Sequence, residues 1–198
     1  MKVSAAGAVL AALGLVAALS GCTVNGPDPE RTERERQAGP DLPQRPGELP
    51  VAGKRRADIC GWLTAADKAS IPVGEISGRP LDSDGANYAG CGFLGHDGNA
   101  DYGIGIRVVP EPIERFLQQI NSNPDSRRTY RLNGHGAVQS QVWGAENLGC
   151  DAFVDAAEGQ TLWINLMLFT PGGLDTDQMC GKAQLAAEAV VSTLQSQR

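Results

Sequence analysis

The chain has 198 residues, with 17 Lys and Arg against 23 Asp and Glu and a formal net charge of −6. There is no basic stripe, which argues against a nucleic-acid partner. Five cysteines and only two histidines leave few residues for metal or thiol–imidazole chemistry.

The first residues, Met1-Lys2-Val3, form a short, positively charged start. Ala5 to Leu19 follows without a charge or a proline. This is the pattern of a signal-peptide core, and it is too short for a membrane span, which needs about 20 apolar residues. It closes on Leu19-Ser20-Gly21-Cys22. A leucine, two small residues and a cysteine behind such a core resemble the bacterial lipobox. There the thiol receives a diacylglyceryl group and the chain is cut before the cysteine. Residues 1–21 are therefore expected to be a lipoprotein signal peptide, with Cys22 as the lipid attachment site. Two or more acyl chains anchor stably, whereas one does not. The expected location is the extracytoplasmic face of the cell membrane.

Residues 23–58 contain Pro27, Pro29, Pro40, Pro43, Pro46 and Pro50 and no aromatic residue. Their acids and bases balance. With so few apolar side chains, the segment is expected to be a disordered, proline-stiffened tether. At roughly 3 Å per residue it could reach about 100 Å from the bilayer. Residues 59–198 have the usual size of one domain.

In that domain, Thr64 to Ser70 predicts a short helix, with Thr64 as N-cap and Asp67 completing a capping box. Two later stretches echo each other. One starts at Cys91, "CGFLGHDGNADYGIGIRVV", and the other at Cys150, "CDAFVDAAEGQTLWINLMLF". Each reads as a hairpin around a glycine-bearing turn. Tyr102, Ile104, Ile106 and Val108 alternate onto one face, as do Leu162, Ile164, Leu166 and Leu168. Trp163, Met167 and Phe169 make the other face of the last strand apolar too, so it is expected to be central. Between the hairpins, residues 111–121 place Ile113, Phe116, Leu117 and Ile120 on one helical stripe, and Pro112 suits the first turn. A strand, "AVQSQVW", precedes the second hairpin. The final helix spans about Thr176 to Gln195, capped by Asp175 or Thr176, and its alanines imply close approach to a sheet. The fold class is α+β: a mostly antiparallel sheet built from two similar hairpins, packed by N-terminal, middle and C-terminal helices.

Cys60, Cys91, Cys150 and Cys180 form an even set, expected to be disulfide-bonded outside the cytoplasm. Four cysteines allow three pairings. The simplest joins each outer helix to its neighbouring hairpin, Cys60 with Cys91 and Cys150 with Cys180. The crossed pairings stay open. The spacing does not suit zinc, and no metal site is expected.

Together "DICGWLTAAD", Cys91, "NGHGAV", "CDAFVDAAEGQTLWI" and "MCGKAQLAAEAVVSTL" resemble the actinobacterial DUF3558 lipoproteins. The likeness covers about residues 58–195. It implies an exported lipoprotein of unknown activity and supplies no catalytic residues.

Motifs for chemistry are sparse. His96, beside Asp97 and Asp101, lacks the frame of a calcium loop and is expected to lie in a solvated turn. His135, between two glycines, is expected to be a turn residue, with a buried pH-responsive group as the alternative. Arg127, Arg128 and Arg131 read as a solvated loop. No GxSxG, SxxK, HExxH or phosphate loop occurs. Asp151 with Asp155, and Asp82 with Asp84, are the carboxylate pairs a hydrolase would need, but acids are common at strand ends. Trp62, Trp143 and Trp163 are expected in the core rather than in the wall of a cleft. No cofactor or catalytic residue is expected. The favoured function is a non-catalytic binding or sensing module whose partner is an envelope protein, a glycan or a lipid. An accessory component of an envelope complex is the alternative, and an envelope hydrolase the least favoured.

Overall fold

The computed structural model describes residues 40–76 and 88–198. The element order among them is α1 (Arg56–Cys60), α2 (Ala65–Ser70), β1 (Val73–Ile76), β2 (Ala89–Asp97), β3 (Ala100–Val109) and α3 (Ile113–Gln119). A single 3-10 turn (Pro124–Ser126) then leads to β4 (Arg128–Leu132), β5 (His135–Gln141), β6 (Gly149–Ala157), β7 (Gln160–Leu168) and α4 (Thr176–Gln195). The strands form one antiparallel sheet in the order β1-β2-β3-β7-β6-β5-β4. This is the α+β fold that the sequence implies, with β7 at its centre.

The hairpins form where expected. Asp97 pairs with Ala100 and Ala157 with Gln160, so two residues make each turn. Gly98 and Gly159 supply the positive φ, at 60° and 66°. The strand expected before the second hairpin is itself a hairpin, β4–β5. Its turn is Asn133-Gly134, both left-handed at φ 47° and 89°, which is the type I′ geometry that an Asn-Gly pair favours. The arginines assigned to a loop therefore start an edge strand. Arg128 and Arg131 are exposed on it, and such charges discourage edge-to-edge pairing. Arg127 just before it is half-buried. Its guanidinium donates to Leu117 O at 2.6 Å and to Ser122 Oγ at 2.8 Å, tying the chain after α3 to the start of β4.

The inner face of the sheet carries the main core. Cys91, Phe93, Tyr102, Ile104, Ile106, Leu162, Ile164, Leu166, Ala152 and Val154 lie under α4, α1 and the buried residues around α2. Ala183, Ala186 and Ala187 are fully buried on α4, and their small side chains let the helix lie close to the strands. Asp175 caps α4 by accepting from Gln178 N at 2.8 Å, and Gln178 returns the bond to Asp175 N at 2.9 Å. Thr64 and Asp67 cap α2 in the same reciprocal way. Tyr102 lies over Gly95, and its hydroxyl donates to the carbonyls of Ile71 and Pro72. Burial pushes that phenol's pKa up to about 12.

Two disulfides pin the helices to the hairpins in the local pattern. Cys60 of α1 joins Cys91 of β2, and Cys180 of α4 joins Cys150 of β6, each with Cα atoms 5.1 Å apart.

The expected boundary at residue 58 moves toward the N-terminus. Leu49 and Val51 are buried in the main core, and Leu49 N donates to Ala156 O at 2.8 Å. Arg45 forms an ion pair with Asp155 and also donates to Ala157 O at 3.1 Å. Proline and charge dominate the composition here, yet three apolar residues (Leu42, Leu49 and Val51) and one arginine suffice to lay the segment over the end of β6. Residues 23–39, the rest of the expected tether, lie outside the described residues, as do the signal peptide and Cys22.

Candidate ligand pocket

The outer face of the sheet is covered differently. Strand alternation places Val138, Asp151, Phe153, Trp163, Asn165 and Met167 on it. Helix α3 packs Ile113, Phe116 and Leu117 onto Val138, Phe153 and Trp163, forming a second, smaller core. Phe116 meets Phe153 and Trp163 edge-on with ring centroids 5.8 and 5.4 Å away, and Tyr88 meets Phe116 at 6.0 Å. These are the preferred offset geometries of aromatic pairs. The Arg107 guanidinium lies 4.4 Å from the centroid of Trp163, within cation–π range.

α3 is only seven residues long and stops before it has crossed the sheet. Beyond its C-terminal end lies a pocket of about 460 Å³. Its floor is Asp151, Trp163, Asn165 and Met167. Its walls are Tyr88, Phe116, Gln119, Ile120, Asn121 and Val142. Asn121 and Val142 form the far wall, because residues 121–123 are stitched to the end of β5 and the loop after it. Trp143 N donates to Asn121 O, Asn121 Nδ2 donates to Trp143 O, and Asn123 N donates to Gln141 O. Glu146 fastens the same corner, accepting from Gly144 N at 3.0 Å and Asn123 Nδ2 at 3.2 Å. A hydrogen bond from its own backbone N–H, followed by those from Gly144 and Asn123, holds its pKa below the usual value and outweighs desolvation.

Asp151 is the polar centre of the floor. It is 1 % exposed, and its Oδ1 accepts from Trp163 Nε1 at 2.9 Å and from Asn165 Nδ2 at 2.7 Å. A mainly apolar concavity with a few fixed polar groups is the usual shape of a small-molecule site.

The sequence-predicted candidates fall out as follows. Asp151 and Asp155 share a face of β6 but do not meet, because Asp155 is committed to Arg45. Asp82 and Asp84 lie outside the described residues. His96 is exposed, with Nδ1 2.8 Å from Asp101 Oδ1 across the β2–β3 hairpin. Among the described residues no three His, Cys, Asp or Glu come together as a metal set. His135, expected in a turn, is instead fully buried at the start of β5. The preceding Asn-Gly pair makes the turn, so the histidine becomes the first strand residue. Its Nδ1–H donates to Asp155 O at 3.2 Å, and its Nε2 has no partner. Desolvation lowers its pKa, outweighing the hydrogen bond to Asp155, with Arg198 and Arg45 adding to the lowering. Trp62 and Trp163 are buried, but Trp143 is 55 % exposed on the β5–β6 loop.

Sequence reasoning missed Tyr88, Gln119, Asn121 and Asn165 as pocket residues. A signal existed for Asn165: it is the one polar outward residue in "LWINLML", between Trp163 and Met167.

A family model described as "Protein of unknown function (DUF3558)" matches residues 17–193, and the chain belongs to that family. Comparison with curated proteins and with solved structures found no match.

Proposed function

We propose that this DUF3558 chain is an exported lipoprotein, held to the outer face of the cytoplasmic membrane by lipid on Cys22, and that its domain is a non-catalytic module that binds a small ligand. The observation that carries the binding reading is the pocket beside α3, with a buried, doubly hydrogen-bonded carboxylate in an aromatic and aliphatic wall. The lipobox residues and the two disulfides support the location. The short α3 closes one side of the outer face and leaves the other as a cleft, which suits binding. Asp151 is the single carboxylate among the described lining residues, so acid–base chemistry by a pair of acids is not the favoured use.

A second reading, an accessory part of an envelope complex, draws on a different feature. Phe169 and Leu94 are each more than half exposed, and the Phe169 ring covers Gly103, the cross-strand partner of Leu94.

Two measurements test the proposal. Cys22→Ala should leave the protein in the soluble fraction or as an unprocessed precursor, and processed protein that stays on the membrane would contradict the anchor. A photo-crosslinking residue at Gln119 should capture a small-molecule adduct in intact cells, visible as a discrete mass increase. The same probe at Leu185, exposed on α4, should not. Equal adducts at both positions, or none at Gln119, would remove the pocket reading.

A further inference from the structure

Residues 42–49 cross the end of the sheet as a strap, fastened to four consecutive residues at the end of β6 and in the turn after it. The Arg45 guanidinium pairs with the Asp155 carboxylate and donates to Ala157 O at 3.1 Å. Leu49 N donates to Ala156 O at 2.8 Å, and Glu158 N donates to Glu48 Oε1 at 3.1 Å. The two glycines of "NGHGAV" are its seats. A Cβ on Gly136 would lie 3.0 Å from Pro43 Cδ and 3.1 Å from Leu42 Cβ, and one on Gly134 would lie 3.2 Å from Pro46 Cγ. Between those glycines His135 is fully buried.

A neutral imidazole fits this place better than a charged one. Its Nδ1–H is bonded to Asp155 O at 3.2 Å, and its Nε2 has no partner among the described residues. A proton added there is a buried charge, which is costly unless it is solvated or paired. Arg45 on the strap and Arg198 after α4 oppose that charge, while Asp155 favours it but is already paired with Arg45. The Arg198 guanidinium also lies against the strap, 3.0 Å from where a Cβ of Gly47 would be. The strap's own acids are Asp41, just before it and exposed, and Glu48, which holds Glu158 N. On β4, Arg131 is exposed and burial keeps the Tyr130 phenol neutral. The remaining cover is firmly fixed. β4 and β6 are hydrogen-bonded to β5, and α4 is tied to β6 by Cys150–Cys180 and to Asn133 by Ser192 and Gln195. The strap is the loosest element, since no residue from 42 to 48 is fully buried.

We propose that residues 42–49 form an acid-released strap: protonation of His135 lifts them from the end of β5 and β6 and lets water reach the ring. Lifting moves Arg45 away from the new charge and frees Asp155 to offset it. The lifted state binds a proton more readily than the strapped one, so falling pH favours it. Residues 40–49 then add about 30 Å of reach to the chain that leads back to Cys22.

The test is amide hydrogen exchange on the full chain with both disulfides intact, expressed as protection relative to the unstructured rate at each pH. From pH 7.5 to pH 5 the Leu49 amide should lose about tenfold or more of its protection, while Ile164 and Leu166 on β7 keep theirs. The loss should follow the titration of the His135 ring protons seen by NMR. His135→Gln should hold Leu49 equally protected at both pH values. Gly136→Ala, which puts a methyl group under Pro43, gives a second arm if His135→Gln does not fold. It should lower Leu49 protection already at pH 7.5 and let His135 titrate closer to its ordinary value. The strap is overturned if Leu49 and β7 lose protection together, if Leu49 protection is independent of pH, or if His135→Gln keeps the native pH dependence. It is equally overturned if Gly136→Ala leaves both the Leu49 amide and the His135 titration unchanged.

Discussion

The hairpins β2–β3 and β6–β7 are one device built twice, and they differ on one side only. Each begins with a cysteine on the inner face, bonded to a helix about thirty residues away in sequence. They meet at the centre of the sheet, where Ile106 faces Ile164 and Ile104 faces Leu166. On the outer face the first hairpin presents Gly90, Gly92, Leu94, Gly103, Gly105 and Arg107, and the second presents Asp151, Phe153, Trp163, Asn165 and Met167. The inner rows hold the sheet to its helices and can vary little. The outer rows are released from that duty, and the second hairpin uses its row to form the floor of a pocket. Architecture and candidate function therefore sit on opposite faces of the same strands.

The largest expected effect falls on the second core. Phe153 is fully buried between Phe116 and Trp163, so Phe153→Ala should cost about 3–5 kcal/mol in urea unfolding. It should also lower pocket binding. Phe93→Ala, on the inner face of the first hairpin, should cost a similar amount and leave the pocket intact. If both variants affect binding alike, the two faces are not separable.

The disulfides come next. Their closed loops are nearly equal, at separations of 31 and 30 residues, so the double variants Cys60→Ala/Cys91→Ala and Cys150→Ala/Cys180→Ala should each lose about 3–4 kcal/mol by the chain-entropy relation. Near-equality is the informative result. A gap of more than about 1 kcal/mol would show that the repeated staples do different work.

A smaller effect separates the glycines of the two hairpins. A Cβ on Gly95 would lie 2.3 Å from the Tyr102 ring, whereas one on Gly149 would come no closer than 3.1 Å to any neighbour. Gly95→Ala should cost about 1–3 kcal/mol and Gly149→Ala less, read as midpoint shifts in thermal unfolding. The reverse order would mean that Tyr102 does not lie over Gly95.

The expected outcome at His135 is a pH dependence. Burial lowers its pKa below the ordinary 6.5, so between its folded and unfolded pKa values the unfolded chain binds more protons. Stability from the neutral imidazole is fully present above pH 6.5 and falls as pH drops below it. Arg45 and Arg198 nearby oppose protonation, and only Asp155 favours it. Urea midpoints between pH 7.5 and 5 should fall for the native chain and flatten for His135→Gln. An unchanged slope in the variant would assign the acid sensitivity elsewhere.

Much of this fold was legible in the sequence because its signals are local. Alternating Ile, Leu and Val fixed the faces of β3 and β7, and the candidate cap at Asp175 or Thr176 marked the start of α4. The equal cysteine spacings favoured the local disulfides. Where the reading failed, a long-range contact decided. "RRTYR" has no strong alternation, and β4 forms because β5 offers it a partner. Leu49 and Val51 sit in a proline-rich stretch that gains order only against β6. The pocket was the least legible part. Asp151, Gln119 and Tyr88 lie in different elements, and nothing in their spacing announces that a seven-residue helix stops short and leaves a cleft between them.

The most direct test of the central claim, that the outer face of β6–β7 is a ligand site, is a crystal structure of the chain soaked with a mixture of small aromatic and aliphatic fragments. The expected result is density for a fragment between Phe116, Asn165 and Met167. A filled site elsewhere on the molecule, with this pocket collapsed or holding only water, would contradict it.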